Sequence, residues 1–125
     1  MLQSLLFART FPPDYRPTQN HTPATDIYDS GDHYLLQIDA VGFSSSDIDI
    51  EATHNALSIK GKTQSALPEG YRPIRGEFSG EKQFQRRFRF RDQIDTDLVE
   101  ASVQNGLLEI KVPKKSARKI EVQVH

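Results

Sequence analysis

The chain has 125 residues, a formal net charge of −1 at pH 7 and no cysteine, and 26% of its residues are charged. A balanced charge gives no general attraction to nucleic acid or to an anionic membrane, and the lack of cysteine excludes disulfides and thiolate metal ligands. No apolar run approaches the roughly 18 residues that span a bilayer, so no membrane contact is expected. The length predicts one domain with a core of modest size.

The first 22 residues are interpreted as an arm that stands apart from the domain. Leucines at i, i+3 and i+4 predict a short amphipathic helical turn, and the prolines that follow end it and indicate a linker from Phe11 to Pro23. The segment lacks the basic start and cleavage site of a secretory signal, which favours a cytoplasmic protein, although its acid-free start leaves a mitochondrial presequence open. The apolar side chains of the arm are Leu2, Leu5, Leu6, Phe7 and Phe11.

From Asp26 onward the apolar residues recur at every second position. Such alternation is typical of antiparallel sheets with one buried face and one wet face. Turn residues separate the runs, and Asn105-Gly106 is the strongest hairpin signal among them. No helical period is sustained after residue 25, so the sequence predicts an all-β, antiparallel, immunoglobulin-like sandwich of seven or eight short strands. The alternating runs are His33–Val41, Asp47–Ala52, Asn55–Gly61, Gln83–Arg91, Val99–Gln104 and Leu107–Pro113.

The stretch from Gly61 to Gly80 is longer than a hairpin connection requires. A loop of this length is usually functional or disordered. Its part from Tyr71 to Phe78 has a short strand-like core, but Pro73 excludes a central strand because proline cannot donate to the ladder. We interpret this part as an edge strand that pairs outside its own sheet.

Residue types that carry catalysis or bind metals form no recognisable group. The four histidines are scattered without metal-ligand spacing, and the sequence contains no Gly-x-Ser-x-Gly nucleophile elbow. Asp47 and Asp49 alternate with isoleucines and are expected on the wet face of a strand. The sequence therefore predicts neither an enzyme nor a cofactor or metal site.

The run from Arg86 to Arg91 interleaves cations with aromatic residues, a composition that nucleic-acid-binding sheets use. On a strand, however, Arg86 shares a face with Phe88 and Phe90, while the other arginines lie on the opposite face. The run is therefore interpreted as a core-facing aromatic strand with a basic outer face, and nucleic acid is not expected as a partner. Arg86 must find a partner in the core or at an interface, because an unpaired buried cation is costly.

Taken in order, these motifs resemble those of the small heat-shock proteins, the α-crystallin-type chaperones. The resemblance runs from Pro23 to about Lys114. Its most specific stretch, ASVQNGLLEIKVPK, is close to the family's A-x-x-x-N-G-V-L-x-I-x-V-P-K; the others are PATDIYDSGDHYLLQIDAVGFSSSDIDIEATHNALSIKGK and GEFSGEKQFQRRFRF. Three positions depart from the pattern: Val41 replaces a proline, Phe90-Arg91 replaces Leu-Pro, and Glu77-Phe78 replaces Glu-Arg.

The resemblance implies an ATP-independent holdase that captures unfolding proteins and passes them to ATP-dependent chaperones. It also implies a dimer that assembles into a homo-oligomer, with an N-terminal arm (1–22), an α-crystallin-type domain (23–114) and a C-terminal extension (115–125). The apolar residues of the arm are expected either to bind client proteins or to pack inside the oligomer. The alternative is a p23-like co-chaperone or interaction adaptor on the same sandwich, which predicts a monomer.

Two contacts between subunits follow from the resemblance. In the first, the strand of the long loop swaps into the partner's sheet; the predicted dimer residues are Tyr71, Arg72, Ile74, Glu77, Phe78 and Arg86. In the second, Ile120 and Val122 match the family's I-x-I/V motif, which docks in a groove of a neighbouring subunit; the predicted groove residues are Ile48, Ile50, Val99 and Val103. Because Val124 extends the alternation, a docking register shifted by two residues stays open.

Overall fold

The computed structural model describes residues 18–20, 22–78 and 80–115, which form a sandwich of two four-stranded sheets. The strand order is β1-β6-β5-β4 in the first sheet and β2-β3-β8-β7 in the second. Neighbouring strands run antiparallel except β1 and β6, which are parallel. The predicted fold class is therefore confirmed. The strands are β1 Thr18–Asn20, β2 Thr25–Asp29, β3 His33–Asp39, β4 Ile48–Ala52, β5 Ala56–Gln64, β6 Glu81–Arg89, β7 Glu100–Gln104 and β8 Leu107–Pro113.

The core lies between the sheets and is built from every second residue of the central strands. In the second sheet, β3 and β8 place their buried residues directly opposite one another, as Leu36 and Ile110 illustrate. The first sheet contributes Leu57 and Ile59 from β5 and Phe84 from β6. Since period-two alternation puts all these side chains on one face of each sheet, burial of that face stabilises both sheets together.

The predicted hairpin at Asn105-Gly106 joins β7 to β8. Both turn residues have positive φ, 54° at Asn105 and 75° at Gly106, as a two-residue type I′ turn requires. A Cβ at Gly106 would lie 2.9 Å from Cγ2 of Val41, so the turn also fits closely against the loop after β3.

Part of the segment interpreted as a linker is a strand. Thr18–Asn20 forms β1 and pairs in parallel with the start of β6, so the linker interpretation is wrong for these three residues. Asp47 also differs from its predicted place on a strand. It ends a 3-10 helix, Ser45–Asp47, where its carboxylate accepts a 2.8 Å bond from the Ser44 amide, which lowers the pKa of Asp47.

The last described residues are firmly attached to the sandwich. The Lys114 amide donates to the Asp32 carbonyl at 2.9 Å, and the Lys115 amide donates to the Gln93 carbonyl at 2.8 Å. Nζ of Lys114 lies 2.9 Å from Oδ1 of Asp29 and 3.3 Å from Oδ2 of Asp92. These contacts, led by the hydrogen bond to Asp29, raise the pKa of Lys114. The chain therefore leaves the domain from a fixed point.

Candidate functional site

The open edges of the two sheets are the candidate site, and one hydrogen-bonded contact shows which edges lie together. Arg86 of β6 donates from Nη1 to the Pro23 carbonyl at 3.0 Å and to the Thr25 hydroxyl at 3.1 Å, at the start of β2. Strand β6 thus lies across from β2. Given the strand orders, the opposite outer strands, β4 and β7, must lie at the other side of the sandwich, one in each sheet.

The four residues predicted to line a groove lie on or next to these two outer strands. Ile48 and Ile50 of β4, together with Val99 and Val103 at β7, are partly buried and pack against the core. Each has an open side because no further strand covers β4 or β7 within the described residues. We call these four residues the edge groove. Sequence reasoning missed Ala52, which also packs against the core from β4.

The predicted dimer loop presents apolar side chains to solvent. The described residues between β5 and β6 form no strand, and the side chains of Tyr71, Ile74 and Phe78 are 77%, 81% and 60% exposed. Arg72 and Glu77 are exposed as well. Three large apolar groups so close in sequence are unusual on the surface of an isolated subunit.

The end of this loop contacts the sandwich through a cation. Nζ of Lys82 lies 3.1 Å from the centroid of the Phe78 ring. Burial lowers the pKa of Lys82, against the opposing charge of Asp39. Phe78 therefore covers a lysine of its own chain even though most of its ring remains accessible.

Arg86 finds its polar partners inside its own chain. Besides its bonds to Pro23 and Thr25, its guanidinium lies 4.8 Å from the centroid of the Phe88 ring. The requirement inferred from the sequence, that this cation needs a partner, is met by contacts that join the two sheets. Its predicted role at a dimer interface stays a prediction.

Strand β2 is a second open edge, on the side opposite the edge groove. It pairs only with β3 among the described strands, and Ile27 and Tyr28 are 46% and 52% exposed. The alternation rule did not single this strand out, because four of its five residues are exposed.

Comparison with known proteins places the chain in a family. The sequence pattern of the Hsp20/alpha crystallin family matches residues 26–125. The chain belongs to the Hsp20/alpha crystallin family. Small heat shock protein C2 of Rickettsia felis is 34% identical over 119 residues, which cover 91% of this chain and 76% of that protein.

Two solved Hsp20-type structures are similar in both fold and sequence. A small heat-shock protein from Xylella fastidiosa, described as having a distinct high order structure, is 30% identical with a TM-score of 0.66 and covers 84% of this chain and 97% of its own. The hspA protein from Xanthomonas axonopodis is 35% identical with a TM-score of 0.61 and covers 74% and 93%. Membership of this family of non-enzymatic chaperones supports a chaperone role for the chain.

One polar cluster resembles a catalytic triad in composition but differs from it in geometry. In the turn between β2 and β3, Nδ1 of His33 lies 2.7 Å from the Ser30 hydroxyl and 2.6 Å from Oδ1 of Asp32. Both contacts use the same ring nitrogen, whereas a triad needs the acid on one nitrogen and the nucleophile on the other. The cluster is therefore a hydrogen-bonded turn.

No group of three or more metal-ligating side chains is found in residues 18–20, 22–78 and 80–115. Within the same ranges, no helix is long and apolar enough to cross a membrane. The I-x-V residues Ile120 and Val122 and the five apolar residues of the arm lie outside the described residues.

Proposed function

We propose that this protein is a cytoplasmic, ATP-independent holdase that binds unfolding proteins, prevents their aggregation and leaves them for ATP-dependent chaperones. The observation that carries the proposal is the pair of open edges, β4 and β7, which lie together and present the edge groove. Open edges invite pairing with other chains unless something covers them. A protein that keeps such edges is suited to reversible assembly.

The dimer contact is proposed to join the long loop of one subunit to β2 of its partner. The loop has exposed apolar side chains and no strand of its own, and β2 is an edge with exposed apolar residues. Addition of an extended segment to a sheet edge satisfies the backbone of both and buries the apolar groups of both. The similar protein from Xylella fastidiosa, with its high order structure, supports self-association.

The second contact is proposed to place Ile120 and Val122 in the edge groove of a neighbouring subunit. Burial of two aliphatic side chains gives roughly 3–6 kcal/mol before the cost of ordering the segment. One such contact is weak, but several around an assembly hold it together while each still opens alone. Opening without ATP exposes client-binding surface, for which we propose the apolar residues of the N-terminal arm.

A heat-aggregation assay tests the proposal. A client such as citrate synthase is heated with increasing amounts of the purified chain, without ATP, and its light scattering is followed. A several-fold molar excess is expected to suppress scattering, and deletion of residues 1–11 is expected to weaken protection while far-ultraviolet circular dichroism stays unchanged. Full client aggregation at that excess contradicts the holdase proposal. A monomeric native mass would favour the adaptor alternative instead.

A further inference from the structure

The outward face of β4 carries two acidic residues beside the edge groove. Asp49 and Glu51 alternate with Ile48 and Ile50 and are exposed, so they lie on the side of the strand that faces away from the core. Neither forms an ion pair with any residue that the structure describes. We call these two residues the acidic face of β4.

The neighbouring strand neutralises this face only in part. Lys60 of β5 is the cross-strand partner of Asp49, but no ion pair between them is formed, and the partner of Glu51 is the neutral Ser58. The outward face of β7 carries one acid, Glu100, whose cross-strand partner is Lys111, so it has one lysine for its one acid, whereas β4 has one lysine for two acids. Of the two groove edges, β4 is therefore the one that attracts a basic segment.

The C-terminal extension has the complementary charge. Its cations precede the apolar motif, and Lys119 stands directly before Ile120. In an extended segment, alternate side chains point to opposite faces. When Ile120 and Val122 face the groove alongside β4, Lys119 and Glu121 lie on the same side as the acidic face of β4.

A shift by two residues changes this balance. With Val122 and Val124 in the groove, Glu121 and Gln123 take the outward positions, and Lys119 leaves them. The shifted register thus keeps the carboxylate of Glu121 opposite the two acids but loses the cation that offsets it. Each cross-strand charge pair changes the equilibrium between the two registers by up to about fivefold. The lost attraction of Lys119 and the remaining repulsion of Glu121 both disfavour the shifted register.

We propose that Asp49 and Glu51 set the register of the docked tail, by attracting Lys119 and so favouring Ile120 and Val122 over Val122 and Val124. This inference rests on the proposed docking of the tail in the edge groove. It assigns a specificity role to two residues whose positions would otherwise serve only solvation.

The docking register is determined by testing whether the assembly depends on the aliphatic side chain at position 120 or at position 124. Native mass is measured by light scattering on the full chain at about 0.05 M salt, where surface charges are least screened. Ile120→Ser is expected to dissociate the assembly, and Val124→Ser is expected to leave it intact. Exchange of the tail charges, Lys119→Glu with Glu121→Lys, moves the cation to the position that faces β4 in the shifted register.

In the charge-exchanged chain, Val124→Ser instead of Ile120→Ser is expected to dissociate the assembly. The ratio of the apparent dissociation constants of the assemblies formed by these two serine variants is expected to change at least fivefold. The matched control adds Asp49→Asn and Glu51→Gln, both at exposed positions, and the transfer is expected to disappear. If the charge-exchanged assembly still depends on Ile120, the proposal that charge sets the register is overturned, while the docking proposal is not. A mass that responds to neither serine substitution overturns the docking itself.

Discussion

Replacement of Gly61 by alanine probes how the first sheet fits the core. Gly61 lies on the inner face of β5, between Ile48 of β4 and Phe84 of β6 in the strand register. An added Cβ would lie 2.8 Å from Cζ and 2.9 Å from Cδ1 of the Phe84 ring, and nearer still to Cε1. These distances are too short for carbon atoms, so the ring must move.

The ring has little room to do so. Phe84 is buried, and its ring meets that of Phe43 edge-on, with centroids 5.1 Å apart and planes at 82°. Overpacking of this kind costs about 1–3 kcal/mol, and the lower chain entropy of alanine in the unfolded state returns about 0.4–1 kcal/mol. The net loss is about 1–2 kcal/mol, which lowers the melting temperature of a domain this size by about 5–15 °C.

The assay is urea unfolding followed by circular dichroism at fixed protein concentration. Lys60→Ala, at the next residue on the outer face of the same strand, is the control and is expected to change the unfolding free energy by less than about 0.5 kcal/mol. Addition of Phe84→Leu to Gly61→Ala should cost less than the sum of the single changes, since the smaller side chain removes the clash. Additive losses, or no loss from Gly61→Ala, would contradict the predicted clash with the Phe84 ring.

Two further predictions concern charged residues that join separate parts of the fold. Arg86→Met removes two charge-assisted hydrogen bonds that join the sheets, although the Thr25 hydroxyl still donates to the Pro23 carbonyl, so the free energy of urea unfolding should fall by about 1–3 kcal/mol. The outward-facing Arg87→Met should change little. Lys114→Met removes contacts to Asp29 and Asp92, whose pKa values are lowered first by hydrogen bonds from the Gly31 amide and the Tyr34 hydroxyl, respectively, and then by the Lys114 ammonium. The two ionised carboxylates stabilise the fold above the ordinary carboxylate pKa, and this stabilisation is lost as the pH falls through their lowered pKa values. The destabilisation by Lys114→Met should therefore be full at about pH 7 and shrink below about pH 4. Equal destabilisation at both pH values contradicts this prediction, and Lys115→Met is the control.

The strands that the sequence predicts are those whose burial is one-sided. Leu36 and Ile38 alternate with exposed or half-buried neighbours because one face of β3 meets the other sheet and the other face meets water. The turn at Asn105-Gly106 was predictable for a local reason as well, since its residue types suit positive φ.

The strands that the sequence did not predict depend on distant partners. Strand β1 has three residues and forms only against β6, more than sixty positions along the chain, so no local pattern indicates it. Four of the five residues of β2 are exposed, so the strand lacks the alternation of a half-buried strand, and the same exposure makes it an open edge.

The candidate site was predictable in its residues but not in its arrangement. Alternation indicated that Ile48 and Ile50 belong to a strand, and the family resemblance assigned them to a groove. That β4 and β7 are both outer strands, and lie on the same side, follows only from the strand order and the contact of Arg86 with Thr25. The charge of Asp49 and Glu51 was visible in the sequence, yet its position beside the groove required the structure.

The attachment of Lys114 and Lys115 to the sandwich sets the maximum distance that the tail can reach. Because Lys115 is fixed by its bond to the Gln93 carbonyl, the five steps from it to Ile120 span at most about 18 Å. A neighbour whose edge groove lies farther away cannot be reached, however favourable the contact. In the proposed docking, the number of residues in this segment limits the spacing between subunits, and insertion or deletion there should select a different assembly geometry without any change in the domain.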